Sequence, residues 1–406
     1  MEVKYVSTVC SKNMFDYLFS KSENKPQQQA QKFHYLLSKG LTKNGFNLSF
    51  ITRPPITDKK AINKFYRAIA KKEKYKYKYL NIYKIPLVKE LMLFTITFLS
   101  LVHWFFKYRK EEKIIFVDIL SISLTFSSII FSKIFRVKAV ALVTDLPKDM
   151  SNFNGNKNYV NRLKKKIIRL ATYFYTSKFD YYILLTKQMD KIVNPKNSPS
   201  LLIEGLADIN MRNKENSLKN KYETRVILYA GSLDEKNGII KLVKAFSKID
   251  NLKINLWIFG QGDSSKIIKD YSLKDERIKY LGVVKNEIVL EQQIKATLLI
   301  NPRPSNQTFT QYSFPSKNLE YMASGTPLLS TKLKGIPEEY SDYIYFFEDE
   351  SIQGMSKTIS SIIEKSDVEL KKMGDKAKKF ILEHKNYLIQ TKKIIKFLQI
   401  NNIDKR

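Results

Sequence analysis

Phe314-Pro315-Ser316-Lys317-Asn318-Leu319-Glu320-Tyr321-Met322-Ala323-Ser324-Gly325-Thr326-Pro327 reads as a loop feeding a short helix. Ser316 is the expected N-cap, and Gly325 followed by Pro327 is a stop signal. A helix start offers unpaired N–H groups and a partial positive charge, which suit a phosphate. Glu320, one turn inside, places a carboxylate near the same spot, where it can accept two hydrogen bonds from a ribose diol. A nucleoside-diphosphate sugar carries both groups a few ångströms apart.

Outward from this stretch, short apolar runs alternate with helical spacing. Arg225–Leu233, Leu252–Gly260, Ile278–Val284, Thr297–Asn301, Pro327–Thr331 and Tyr343–Phe347 read as buried strands. Gly238–Ile249, Asn286–Ala296 and Ser316–Ser324 read as helices between them. Such alternation predicts a parallel sheet wound with helices, with ligands beyond the carboxyl ends of its strands. At those ends stand Gly231, then Ser232 and Lys236 as phosphate donors, Gly260 and Gly262, and Leu281-Gly282-Val283-Val284, where a flat base can lie against backbone.

The first half repeats the theme less regularly. Its strand candidates are Val3–Val9, Phe46–Thr52, Lys113–Leu120, Lys138–Thr144, Tyr181–Thr186 and Ser200–Glu204. Gln27–Leu41, Leu87–Phe106, Leu120–Phe135 and Tyr159–Ser177 have helical spacing. The polar segment Asp208–Asn220 reads as a linker. With 406 residues, two domains are expected, at 1–207 and 208–406, with the last helix able to pack back on the first domain. The fold class expected is α/β, with two Rossmann-like doubly wound domains.

The net charge of +32 is uneven. Residues 1–205 hold 37 Lys and Arg against 14 Asp and Glu, or +23; the remainder holds 34 against 25, or +9. The first half therefore suits an anionic partner, although a Lys-, Ile- and Asn-rich composition also follows from an AT-rich genome. Lys71–Tyr79 alternates lysine and tyrosine, which suits a solvated loop or helix face, an anionic bilayer interface or, less well, nucleic acid. Leu91–Phe106 is free of charge for 16 residues, short of the roughly 20 a membrane span needs, and fits a buried or interfacial helix. Cys10, the single cysteine, excludes an internal disulfide. Met1–Cys10 reads as a first strand rather than a signal peptide. His34, His103 and His384 read as structural. Asp145, ending a strand before Leu146-Pro147, is the first-half candidate for a catalytic carboxylate, either accepting a hydroxyl proton or orienting a sugar; a strand-end Asp also caps turns.

The second half resembles the donor domain of retaining GT-B glycosyltransferases, in particular glycosyltransferase family 4. The resemblance rests on Gly231, Lys236 with Gly238, Gly260 with Gly262, Leu281–Val284, and Glu320 to Pro327. Phe314-Pro315-Ser316-Lys317 looks like the branch found in capsule, exopolysaccharide and O-antigen gene sets; Val143-Thr144-Asp145-Leu146-Pro147 and Leu202-Ile203-Glu204-Gly205 look like fainter landmarks. The resemblance implies that Glu320 holds the ribose hydroxyls and that the backbone of Ser313, Phe314, Pro315 and Ser316 holds the diphosphate, with Lys236 and Lys317 offsetting its charge. It also implies transfer with retention in a cleft between domains, without a metal, from a donor whose nucleotide is expected to be UDP. The implied acceptor is a polyprenyl-diphosphate-linked saccharide at the cytoplasmic face of a bacterial plasma membrane, where the protein would be peripheral. Nucleic acid is not an expected partner. Two positions depart from the pattern: Tyr312 stands where a second carboxylate is usual, and Ser232 where an arginine is usual. The alternatives are a non-catalytic partner of this fold and a nucleotide-sugar epimerase or phosphorylase of the same architecture.

Overall fold

The computed structural model describes residues 1–21, 26, 28–55, 75–81, 86–147 and 172–403. Thirteen described strands form two all-parallel sheets, each within one compact unit: Met1–Glu204 with Gln390–Arg406, and Gly205–Ile389.

The first sheet comprises β1 (Glu2–Ser7), β2 (Asn47–Thr52), β3 (Lys76–Tyr79), β4 (Lys113–Asp118), β5 (Lys138–Val143), β6 (Tyr181–Leu184) and β7 (Ser200–Leu202), in the order β3-β2-β1-β4-β5-β6-β7. Its inner strands are apolar runs because helices cover both faces. One face centres on aromatic neighbours in register: Tyr5 pairs with Phe50 and Phe116, and His34 stacks edge-on to Tyr5. The His34 ring bonds the Tyr5 hydroxyl at 2.7 Å and approaches Asp118 at 3.3 Å, all three side chains being buried. His34 is thus a core residue that bonds a buried tyrosine and stands beside a buried carboxylate.

β3 corrects the reading of Lys71–Tyr79 as a loop or helix face: Lys76–Tyr79 is an edge strand, and Lys71–Lys74 lie outside the described residues. The period is two. Tyr77 and Tyr79 stack on each other at 5.5 Å, Tyr77 stacks on Phe50 at 4.5 Å, and Lys76 and Lys78 face out. Of the helix expected over Tyr159–Ser177, residues 159–171 likewise lie outside the described residues. Tyr387–Ile403 is a helix whose last part belongs to the first unit, tied there by Asn44 to Thr391 and by Gln390 to Glu204.

The second sheet comprises β8 (Arg225–Ala230), β9 (Ile254–Phe259), β10 (Ile278–Gly282), β11 (Leu298–Asn301), β12 (Leu328–Thr331) and β13 (Tyr345–Phe347), in the order β10-β9-β8-β11-β12-β13. Alternation along β8 sends Ile227 and Tyr229 into one apolar cluster and Val226 and Leu228 into another, so both faces are buried. Each such side chain contributes about 1.5–3 kcal/mol by burial. The chain order reverses between β8 and β11, and a crevice opens at such a switch point beyond the carboxyl ends. The segment read as a linker is folded into this unit. Met211 is buried, and the Asn216 amide donates to Ser324 O and Thr326 Oγ1 at 3.0 and 2.9 Å.

Candidate nucleotide site at the carboxyl edge of the second sheet

The Ser316–Ser324 helix has the expected bounds, but its N-cap is Pro315 rather than Ser316. The proline ring sets φ at −74°, and the Pro315 carbonyl accepts from Asn318 N–H at 2.8 Å, closing the first turn without a side-chain cap. Ser316 is then the first helical residue and is exposed. Gly325 takes the left-handed conformation at the far end (φ 79°).

Two buried anchors fix the helix. The Asn318 amide accepts from Asn301 at the end of β11 (2.8 Å) and donates to Ser330 on β12 (3.2 Å). The Tyr321 hydroxyl accepts from Ala230 N–H at 2.8 Å and donates to Ala230 O at 3.1 Å, taking the place of a neighbouring strand at the end of β8. Phe314, in the loop before the helix, is buried 5.5 Å from the Tyr340 ring and shares an apolar cluster with the partly buried Val284. The helix start is therefore held against the ends of β8 and β11.

Lys317 lies where these elements meet. A Cβ on Gly231 would overlap Lys317 Nζ, so the strand-end glycine makes room for the amine. The amine stands 5.1 Å from the Tyr229 ring centroid, and the Tyr229 hydroxyl donates to Ser232 O at 2.7 Å. Burial lowers the Lys317 pKa to about 7; the Arg303 cation pushes the same way and Glu320 opposes it. Glu320 is buried, and its Oε1 accepts from the Gln293 amide at 3.0 Å.

Arg303, which the sequence reading passed over, completes the cationic group. It follows β11 between two prolines, and its guanidinium donates to Ser313 Oγ at 3.4 Å. Arg303 and Lys236 each lie 5.8 Å from the Phe309 ring centroid. Its signal was the placement of Pro302-Arg303-Pro304 directly after a strand end; no motif marks it.

Other expected residues have structural tasks. Gly260, at φ 130°, packs against the Gly231 carbonyl, where a Cβ would collide. Gly262 packs against Leu233 and Asp234 in the same way. These two glycines serve contact between strand-end loops, and Gly231 faces Lys317. The exposed Ser232 donates to Asp234 Oδ2 at 2.8 Å. Asp145 belongs to the first unit, after β5, where its Oδ1 accepts from Leu146 N–H at 2.8 Å in a turn-capping bond. A cavity of about 100 Å³ beside Lys221 opens at the opposite edge of the second sheet, by the amino ends of β8, β11 and β12.

Residues 210–380, which include every element of this site, match the family described as glycosyl transferases group 1. That match spans most of the second unit and none of the first. No curated protein matches the chain. Among solved structures, sucrose-phosphate synthase from Thermosynechococcus elongatus is similar at TM-score 0.69 and 13% identity, covering 98% of each chain. Anabaena HepE in complex with UDP-glucose is similar at 0.66 and 11%, covering 98% of this chain and 99% of that one. The lipopolysaccharide outer core galactosyltransferase WaaB is similar at 0.58 and 12%, with the same coverage. The fold is therefore of the GT-B class, two Rossmann-like domains, and the unit similar to the group 1 family is the one that holds the cationic helix start.

Proposed function

We propose that the protein is a retaining, metal-independent glycosyltransferase of family 4, in its surface-polysaccharide branch, that draws its sugar from a nucleoside-diphosphate donor, with UDP as the nucleotide. The observation that carries this reading is the pair of cations, Arg303 beside Ser313 and Lys317 beside Gly231, gathered at one helix start with Glu320 one turn inside. Like charges confined together cost free energy that an anion recovers, and a diphosphate bridges two such groups. As the glycosidic bond breaks, negative charge develops on the departing nucleotide, where the cations and the helix start act. Arg303 supplies the cation that the pattern usually draws from the position of Ser232. Glu320, oriented by Gln293, accepts the ribose hydroxyls.

The acceptor in this reading is a polyprenyl-diphosphate-linked saccharide, with the protein peripheral at the cytoplasmic face of the membrane. The charge of the first half and the apolar helix Pro86–Lys107 support that placement. Asp145 is assigned to the acceptor hydroxyl or the donor sugar.

A thermal-shift screen against UDP, GDP, CDP and dTDP sugars, with Glu320→Ala alongside, tests the donor site. Stabilisation by UDP sugars that the variant loses is the expected result. A folded protein that no nucleotide stabilises would overturn the reading and favour a non-catalytic partner.

A further inference from the structure

The helices Pro86–Lys107 and Ile122–Phe135 run parallel on the first sheet, locked by ring contacts Phe94–Phe126, Phe98–Phe131 and Phe105–Phe135 at 5.8, 6.5 and 4.9 Å. Pro86–Lys107 spans 22 residues, so the charge-free run understated its length. Among the described residues it is the one helix long and apolar enough to cross a membrane. Its inner row, however, packs into the unit: Leu93, Thr97, Leu101 and Trp104 are buried. The outer rows are open to solvent and mostly apolar, with Thr95, His103 and Lys133 among them. Leu91, Leu99 and Phe106 are exposed at 67%, 60% and 60%, and Ile122, Phe126 and Ile134 at 45%, 41% and 62%. Their spacings of eight and seven residues, and of four and eight, place them on one side of each helix. A soluble surface rarely keeps so extended an apolar stripe.

The stripe has a cationic end. Lys107, Arg109, Lys110 and Arg136 are exposed where both helices finish, with Glu111 and Glu112 following. β3 adds to it. Lys76 pairs in register with Ser49 and, through it, with Lys4, so these side chains share a sheet face. Lys113, paired with Glu2 and so on the same sheet face as Lys4, holds its Nζ 5.2 Å from the Phe105 ring centroid at the helix end, and Lys4 also feels the charges of Lys78 and Lys107. The lysines of β3 and the carboxyl end of the apolar helix, separate in sequence, thus lie on one side of the sheet.

We infer that this face, the outer stripe of the two helices with the lysines of β3 and Lys107 at its rim, is where the first unit rests on an anionic lipid bilayer. Apolar side chains enter the headgroup–acyl boundary while lysines meet lipid phosphates. The inference rests on the peripheral-membrane part of the proposed function and is independent of the donor site.

The test is co-sedimentation of the full chain with phosphatidylglycerol–phosphatidylcholine vesicles and with phosphatidylcholine alone. Leu99→Ser/Phe106→Ser/Ile134→Ser and Lys76→Gln/Lys78→Gln/Lys107→Gln alter the face; Lys244→Gln/Lys248→Gln/Lys274→Gln removes equal charge from the second unit. The first two should each weaken binding to anionic vesicles about tenfold or more, and the third should leave it unchanged. All should keep the wild-type circular-dichroism spectrum and the wild-type melting midpoint of the first unit, which shows that they fold. Wild-type binding to anionic vesicles that survives both face variants, or falls equally in the control, would overturn the face but not the membrane location. Failure of the wild type to bind would overturn both while the UDP shift still stands. A dimer dissolved by the serine variant, with vesicle binding unchanged, would assign the stripe to a second copy.

Discussion

Lys317 holds its charge below about pH 7 and loses it above, because burial and Arg303 both disfavour the ammonium. A bound diphosphate favours the charged form, so binding takes up a proton. UDP affinity should therefore fall as pH rises from about 6 to about 9, and calorimetric titration of Lys317→Met should show that slope flattened. Without ligand the sign reverses. Between about pH 7 and 10.5 the unfolded chain keeps protons on Lys317 and Lys221 that the folded one has released, so their contributions to stability rise with pH across that window. Arg303→Ala should weaken UDP binding about tenfold or more at neutral pH, the loss of a charge-assisted bond. It should also move the Lys317 transition to higher pH, a readout that a purely structural arginine would not affect. Glu320 and Lys317 were legible because they sit in a helix with clear start and stop signals. Arg303 was not, since a lone arginine between prolines carries no period, and only the strand order puts it beside Ser313.

At the scale of elements, the site depends on how one short helix is tied to two strands. Tyr321→Phe deletes both bonds to the Ala230 backbone and should cost about 1–3 kcal/mol in urea denaturation, since the buried strand-end N–H and carbonyl lose a partner. The two strand-end glycines should separate cleanly. Gly231→Ala meets the movable end of Lys317 and the hydroxyl of the buried Tyr229, so a loss of stability of about 1 kcal/mol should accompany a drop in UDP affinity as Lys317 is displaced. Gly260→Ala meets a backbone carbonyl at a φ of 130°, and should lower stability by about 2 kcal/mol or more. All twelve strands expected from apolar runs are present; most are buried on both faces and so announce themselves by composition, whereas the edge strand β10 was marked by its Leu-Gly-Val-Val end. β3 escaped notice because an edge strand with lysines facing water is told from a loop only by the aromatic ring it stacks on, Phe50, far away in sequence. The helix Lys12–Lys21 was missed for a related reason: only Met14 and Leu18 are buried on it, too few to establish a period.

At the scale of the whole molecule, the two units place different demands on the chain. The first holds a buried Tyr5–His34–Asp118 group, and His34→Ala leaves a buried carboxylate facing a void. A loss of about 3 kcal/mol or more, read as a lower midpoint for the first unit, is expected with UDP binding by the second unit retained. The division was partly readable: the Lys- and Asn-rich stretch 208–220 looked like a tether, but Asn216 and Met211 are spent on the second unit's interior, which composition does not reveal. The helix that closes the chain has a consequence in time. Gln390–Arg406 completes the first unit, yet it is made only after all of Gly205–Ile389. At ordinary rates of synthesis the earlier strands wait on the order of tens of seconds for Ile394 and Leu398 to cover them. The second unit, contiguous in sequence, can finish first, so the amino-terminal half would be the later of the two to mature on the ribosome.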